Sequence, residues 1–274
     1  MVRTSQRTIF SFDIELYRQL NKQYKPLPNT TLNEKYRILE NEEVPIGVYP
    51  ILQGFIIGIG GLASIENTSN YVFSEHSPLD GCLYEGIPWV IRPIDKDLEE
   101  DERSKYRLRT IETINNETYI CYYMKAIDNV DIKQEFYIIK AASPEAGHGS
   151  PSLKPLDTQD ATILNPVPKV RNLNYESSYI PKYVTKIAKI VFEISPEEQK
   201  YIRDALEIKG YGNRIITEIG LCSGIDTVVE NHKESIITQV AYHLGVNIDL
   251  AIALSEEVPV FKGIEIGGLE PLIM

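Results

Sequence analysis

Apolar positions are unevenly patterned along the chain, and the clearest pattern begins at Gly47. Val48 to Ile59 is β-branched and aromatic, is punctuated by glycine, and predicts a buried strand. Upstream there is little periodicity. Phe10 to Tyr17 fits either a short strand or one helical face, and Pro26 and Pro28 interrupt the next stretch. Lys22 to Pro45 reads as mostly irregular with a short helix near Leu32 to Leu39. Downstream, Leu83 to Pro93 is extended, and Pro88 and Pro93 assign it to a sheet edge or a loop. The dense charges of Asp95 to Arg109 predict a solvated helix or loop. Tyr106 to Ile114 and Thr118 to Ile127 flank the polar turn Asn115-Asn116-Glu117 and predict a hairpin. Its second arm is apolar or aromatic on both faces (Tyr119, Cys121, Tyr123 against Ile120, Tyr122, Met124), as a central strand requires. Glu135 to Ala141 predicts another strand.

The C-terminal half alternates more regularly. Ile190, Phe192 and Ile194 alternate with Lys189, Val191 and Glu193, which predicts a half-buried strand. Ser195-Pro196-Glu197-Glu198 is a helix start: serine caps, proline suits the first helical position, and Glu198 can reach back to the cap. That helix carries Tyr201, Ile202, Ala205 and Leu206 on one face and stops near Gly210 and Gly212. Arg214 to Cys222 predicts a strand. Ile236, Ile237, Val240, Ala241 and Leu244 recur at helical spacing and predict a second amphipathic helix over Glu234 to Leu244. A short strand is expected at Ile248 to Leu254, inside an apolar, glycine-punctuated tail.

Between the halves, Ala142 to Pro181 holds six of the chain's 16 prolines and the run Gly147-His148-Gly149-Ser150. Such a stretch is an extended arm or a linker. The expected organisation is therefore a β-rich region over 1–141 with an irregular N-terminal arm, an arm or linker over 142–182, and an α+β region over 183–274. The expected fold class is α+β: an antiparallel β-rich body, two amphipathic helices in the C-terminal half, and long extended arms.

Composition narrows the function. The chain has 274 residues, enough for a sizeable core, and a formal net charge of −11, which disfavours nucleic acid as a primary partner. Its best basic cluster, Lys182, Lys186 and Lys189, is thin. The longest apolar run, Gly54 to Ala63, is half the ~20 residues of a membrane-spanning helix, so no membrane role is expected. Met1 to Arg7 lacks the apolar stretch of a signal peptide. Cys82, Cys121 and Cys222 are widely spaced, as free thiols in a reducing cytoplasm are.

No constellation names a reaction. Gly58-Ile59-Gly60-Gly61 follows a strand, yet no helix start succeeds it and no Lys-Ser/Thr pair completes a phosphate loop, so close backbone approach is the simpler reason for its glycines. His76, His148, His232 and His243 are far apart without metal-ligand spacing, and His243 reads as a semi-buried histidine with its bonding satisfied. Cys222-Ser223-Gly224 lacks a base or an elbow, and the acidic run from Asp95 to Glu102 is too exposed to single out a pair. The expectation is a non-enzyme with no catalytic, cofactor-binding or metal-ligating residues. The alternative is an enzyme or small-ligand-binding protein using the Gly58–Gly61 loop or the Cys222 turn.

One segment carries a resemblance. Thr217-Glu218-Ile219-Gly220-Leu221, followed by Cys222-Ser223-Gly224-Ile225-Asp226, resembles a string recurring in virion proteins of tailed bacteriophages, particularly tail, tail-fibre and baseplate components. Asp80 to Pro93 and Lys105 to Arg109 are loosely similar to virion structural proteins of large phages, and the loose likeness covers about a third of the chain. In this motif Ile219 and Leu221 are expected to share a face, Gly220 to admit another backbone, and Thr217 or Glu218 to end the buried register. The resemblance implies a structural subunit of the tail, neck or baseplate. Its partners would be other virion proteins and copies of itself, and its location the virion, assembled in the host cytoplasm.

Overall fold

The computed structural model describes residues 6–38, 44–60, 76–127, 133–140, 152–155, 182–211, 215–229, 232–250 and 259–272. They form an α+β, strand-rich fold in which every strand pairing with a defined register is antiparallel. The chain divides into two units. One comprises Met1–Asn129 and Phe192–Lys262, the other Val130–Val191 and Gly263–Met274. The units thus part at other places than 142 and 182, and each is assembled from segments distant in sequence.

The larger unit is built on one eight-stranded sheet. Its strands are β1 (Gln6–Arg7), β2 (Ile51–Gly58), β3 (Gly86–Ile87), β4 (Val90–Pro93), β5 (Tyr106–Ile114), β6 (Glu117–Ala126), β10 (Ile215–Val229) and β11 (His232–Asp249). The order runs β1-β11-β10-β2-β6, with β5 on the far side of β6. β3 pairs with the end of β2 and β4 with the start of β6, so together they fill the gap where those two strands diverge. β6 is thus central, as its two apolar faces predict. β5 and β6 form the expected hairpin; Asn115 and Asn116 both take positive φ, 52° and 66°, the two-residue turn whose twist matches that of the strands.

Register shifts at Ile216/Glu218, Leu221/Cys222 and Ile225/Asp226 bend the long β10–β11 ribbon. The sheet curls enough for β5 to approach β10 and β11. Arg107 on β5 reaches Asp226 at 3.3 Å, and Arg103, on the single-turn α3 (Glu100–Arg103), reaches Glu234 at 3.2 Å. Inside lie Ile56, Leu83, Ile91, Leu108, Cys121, Met124, Cys222 and Val240. Trp89 is wholly buried and donates its indole N–H to the Phe55 carbonyl at 3.0 Å.

The N-terminal region is helical and docked rather than an irregular arm. α1 (Ile9–Gln19) is capped by Thr8 and buries Phe10 and Ile14, resolving the strand-or-helix ambiguity of that stretch. Ile14 and Tyr24 pack with Ile225, Ile236 and Ile237 of the β10–β11 ribbon. α2 (Leu32–Tyr36) falls within the expected short helix and closes a full capping box between Thr31 and Glu34.

The second C-terminal helix is not formed: Glu234 to Leu244 lies within strand β11, paired with β10. Ser235 to Ala241 is buried without a break, so apolar residues occur on both faces. Two alternating faces, both apolar, reproduce i, i+1, i+4 spacing without a helix. The polar positions that completed the false pattern are buried and bonded: Thr238 donates to Gln53 Oε1 at 3.1 Å, and Gln239 donates to Thr30 Oγ1 at 3.0 Å. The expected strand at Ile248 to Leu254 is the end of β11 through Asp249; residues 251–254 lie outside the described part.

α4 (Pro196–Ile208) is the helix the sequence announces, with Ser195 capping, Glu198 closing the box, and Ile202, Ala205 and Leu206 buried. The smaller unit contributes a sheet of order β12-β9-β7-β8, from β7 (Lys133–Lys140), β8 (Ser152–Pro155), β9 (Lys182–Ile194) and β12 (Val260–Leu272). The last residues of β9 belong to the larger unit, where Phe192 packs edge-on against Phe55. Of the proline-rich stretch Ala142 to Pro181, only β8 is described.

Replacing Ser195 with alanine removes the cap acceptor of α4 and lowers global stability by about 1 kcal/mol. A urea unfolding series on the full chain checks this as a lowered midpoint with unchanged slope.

Candidate functional site

Charged side chains rarely lie inside a strand flanked by isoleucine and leucine, and Glu218 is such a residue. Burial along β10 is unbroken from Ile216 to Ile225, so Thr217 and Glu218 do not end the buried register as expected. Gly220 also serves a different neighbour than anticipated: a Cβ there would lie 2.7 Å from the Ile56 side chain, so the glycine admits a packed isoleucine rather than a backbone.

A register shift between Ile216 and Glu218 redirects this part of β10. Thr217 Oγ1 accepts from Gly60 N at 2.9 Å and donates to Gly60 O at 3.1 Å. The Glu218 carboxylate accepts the backbone N–H groups of Tyr84 and Glu85, each at 3.2 Å, and lies 2.8 Å from His76 Nε2. The other His76 nitrogen is 3.2 Å from Asp80 Oδ2, which also accepts from Ser77 N at 2.9 Å. His76 is therefore held between two carboxylates. Its ring can donate to both only as the imidazolium.

The His76 ring is sandwiched, stacked at 4.7 Å on Tyr84 and at 4.0 Å on His243 of β11. His243 Nε2 meets the Asp80 carbonyl at 3.0 Å, which leaves Nδ1 as a buried acceptor with no partner among the described residues. Only one of its two nitrogens is thus satisfied. Burial first, and the neighbouring His76 ring in addition, lower the His243 pKa to about 4, although Asp80 and Glu218 act in the opposite direction.

These contacts explain the glycine run before Gly61. A Cβ on Gly58 would sit 2.5 Å from the Glu218 carboxylate and 2.8 Å from the Glu85 carbonyl, and one on Gly60 would sit 2.5 Å from Tyr84 Cβ. Close approach is what Gly58 and Gly60 provide; Gly61 lies outside the described residues. Cys222 is no turn residue: it is inside β10, fully buried, and burial pushes its thiol well above the ordinary range. Burial likewise pushes Cys121 up to about 12, and all three cysteines are free. The acidic run is dispersed: Asp97 takes the Tyr122 hydroxyl at 2.6 Å and Arg109 at 3.0 Å, while no α3 residue is buried. His148 and the side chains of His232, Lys182 and Lys186 lie outside the described residues.

The cluster joins a neutral imidazole, a second imidazole and two carboxylates, and it ties three segments together: the exit of β2, the 76–85 loop and the β10–β11 ribbon. Among the described residues no group of three His, Cys, Asp or Glu side chains has metal-ligating geometry, and no helix is long and apolar enough to cross a membrane. Sequence reasoning noted Glu218 only as a boundary. The available signals were a glutamate inside an apolar strand and the i, i+4 pair His76 and Asp80.

This geometry has two measurable outcomes. Glu218→Ala leaves His76 and two amides without their acceptor and lowers stability by roughly 3–5 kcal/mol, read as a fall in thermal midpoint. His243 governs a pH term. Its folded pKa lies below the ordinary 6.5, so as pH falls the unfolded chain takes up the proton first. The stability it contributes is complete above pH 6.5 and is lost towards pH 4, about 3 kcal/mol in all. Urea unfolding of His243→Gln across that range has a shallower pH dependence than the parent chain; an unchanged slope would contradict this account.

No curated protein and no solved structure matches the chain. A family model described as a family of unknown function, DUF7208, matches residues 1–274, so the chain belongs to that family.

Proposed function

We propose that this chain is a non-catalytic structural subunit that works through protein–protein interfaces, within the tail, neck or baseplate of a tailed-phage virion. The virion part of this reading is supported by the resemblance at Thr217 to Leu221 alone. The interface part is supported by α1. Its inner side is buried on the β10–β11 ribbon, while Ile9, Phe12, Leu16 and Leu20 recur along its outer side at 39, 52, 54 and 54% exposure. Steps of three and four residues place these side chains on one stripe. Arg7 covers part of it, its guanidinium 3.9 Å from the centre of the Phe12 ring. A contiguous apolar stripe of this kind marks an interaction surface, whereas single exposed apolar residues do not.

The experiment is incorporation. Flanking genes encoding sheath, tube or capsid proteins are expected, and mass spectrometry of purified particles detects the chain. Phe12→Glu combined with Leu16→Glu changes stability by at most about 1 kcal/mol, because both side chains are exposed, yet abolishes incorporation. A chain absent from particles, and monomeric at every concentration tested, would refute the reading.

A further inference from the structure

One edge of β5, unpaired among the described residues, lies beside a cationic cleft. Among the described residues β5 pairs only with β6, and its other edge has no strand partner there. Across a two-residue turn, Ile114 and Glu117 face each other as a hydrogen-bonded pair, and alternation then directs the backbone groups of Glu112 and Thr110 towards β6. Those of Arg109, Ile111 and Thr113 point outward. The opposite residues of β6 confirm this parity: the Tyr122 carbonyl accepts from Trp89 N at 2.8 Å and the Thr118 carbonyl from Ile94 N at 3.1 Å, both on the side away from β5.

This edge lines a cleft of about 650 Å³, walled opposite by the last residues of α2 and the following Arg37 and Ile38, with Glu234 also in its lining. Its size is that of a ligand site. Thr110 Oγ1 donates to the Tyr36 carbonyl at 3.2 Å and holds the two walls together. Both cleft carboxylates already have cations of their own: Glu112 meets Lys209 at 2.8 Å, and Glu234 meets Arg103 at 3.2 Å. Arg109 is likewise committed to Asp97. Arg37 and Lys35 form no ion pair among the described residues and both are exposed at the rim, with Lys35 Nζ also donating to the Leu83 carbonyl at 3.3 Å. The uncommitted charge of the cleft is therefore positive, on a chain whose net charge is −11. Ile111, 56% exposed, adds an apolar contact at the edge itself.

We infer that the β5 edge accepts, by strand addition, an extended segment of a partner protein in which apolar residues alternate with carboxylates. Backbone bonds to Arg109, Ile111 and Thr113 would supply affinity, Ile111 would meet the apolar side chains, and Lys35 and Arg37 would select the acidic ones. This inference rests on the assembly reading in taking the occupant to be a partner chain.

The probe is a short fluorescein-labelled peptide alternating valine with aspartate, compared by anisotropy with its valine–lysine counterpart on the full chain. The acidic peptide binds saturably and more tightly, and hydrogen exchange slows at Ile111 and Thr113, whose amides point away from β6. Ile111→Pro removes an outward donor while leaving the ladder to β6 intact, and weakens binding about tenfold. Arg37→Glu, outside the strand, reverses the preference between the peptides and serves even where the proline variant fails to fold. Absence of binding at millimolar acidic peptide, or unchanged preference in Arg37→Glu, overturns the inference. The α1 incorporation experiment reads the assembly role separately, so incorporation without peptide binding removes only the strand-addition proposal.

Discussion

A carboxylate shut away from water must find all its partners inside the protein, and the organisation around Glu218 follows from that constraint. The side chain has no exposure, so leaving it uncompensated would cost several kcal/mol. Two backbone amides and an imidazole satisfy it, and each belongs to the segment 76–85. That segment is thereby held against β10, and its other contacts are set by the same placement: Ile9 N donates to the Pro78 carbonyl at 2.9 Å, and His243 meets the Asp80 carbonyl. The glycines before Gly61 are the steric complement of the same carboxylate. Thr217, in the adjoining register shift, pins Gly60 to the same strand.

A second, more exposed carboxylate ties other strands across the curled sheet. Asp226 accepts from Gln53 on β2, Arg107 on β5 and Ser235 on β11, so one carboxylate links three strands near the opposite end of β10. β10 therefore carries an acidic anchor towards each end and an apolar centre, Ile219 to Cys222, between them. Bonded polar groups at both ends, buried at Glu218 and exposed at Asp226, also favour a single register, because a one-residue slip would break their bonds. Such anchoring suits a protein whose proposed work is to hold shape within an assembly.

Surfaces left open by this arrangement differ in kind. The outer side of α1 is an apolar stripe on an element already fixed by its buried side. The β5 edge offers directional backbone groups beneath a basic rim. The first favours packing against another surface, and the second favours an extended chain.

Much of the local structure was legible in the sequence because its causes are local. Ser195-Pro196-Glu197-Glu198 starts a helix wherever it occurs, Asn115-Asn116 turns a hairpin, and a two-faced apolar strand such as Tyr119 to Met124 belongs at the centre of a sheet. The α+β, β-rich class followed from such elements. Glu234 to Leu244 reads as a helix because a strand buried on both faces loses its period-two signal, and only pairing with β10 decides. The division into units was equally hidden, since each unit joins segments far apart in the chain. The His76–Glu218 cluster belongs to this second class: Glu218 and His243 are unremarkable until the fold places His76 2.8 Å from the carboxylate and stacked at 4.0 Å on the second imidazole. The sequence alone determined which segments could be helix, turn or strand, through capping, turn chemistry and alternation. Tertiary structure decided which face of each was buried, and therefore which charges had to find partners there.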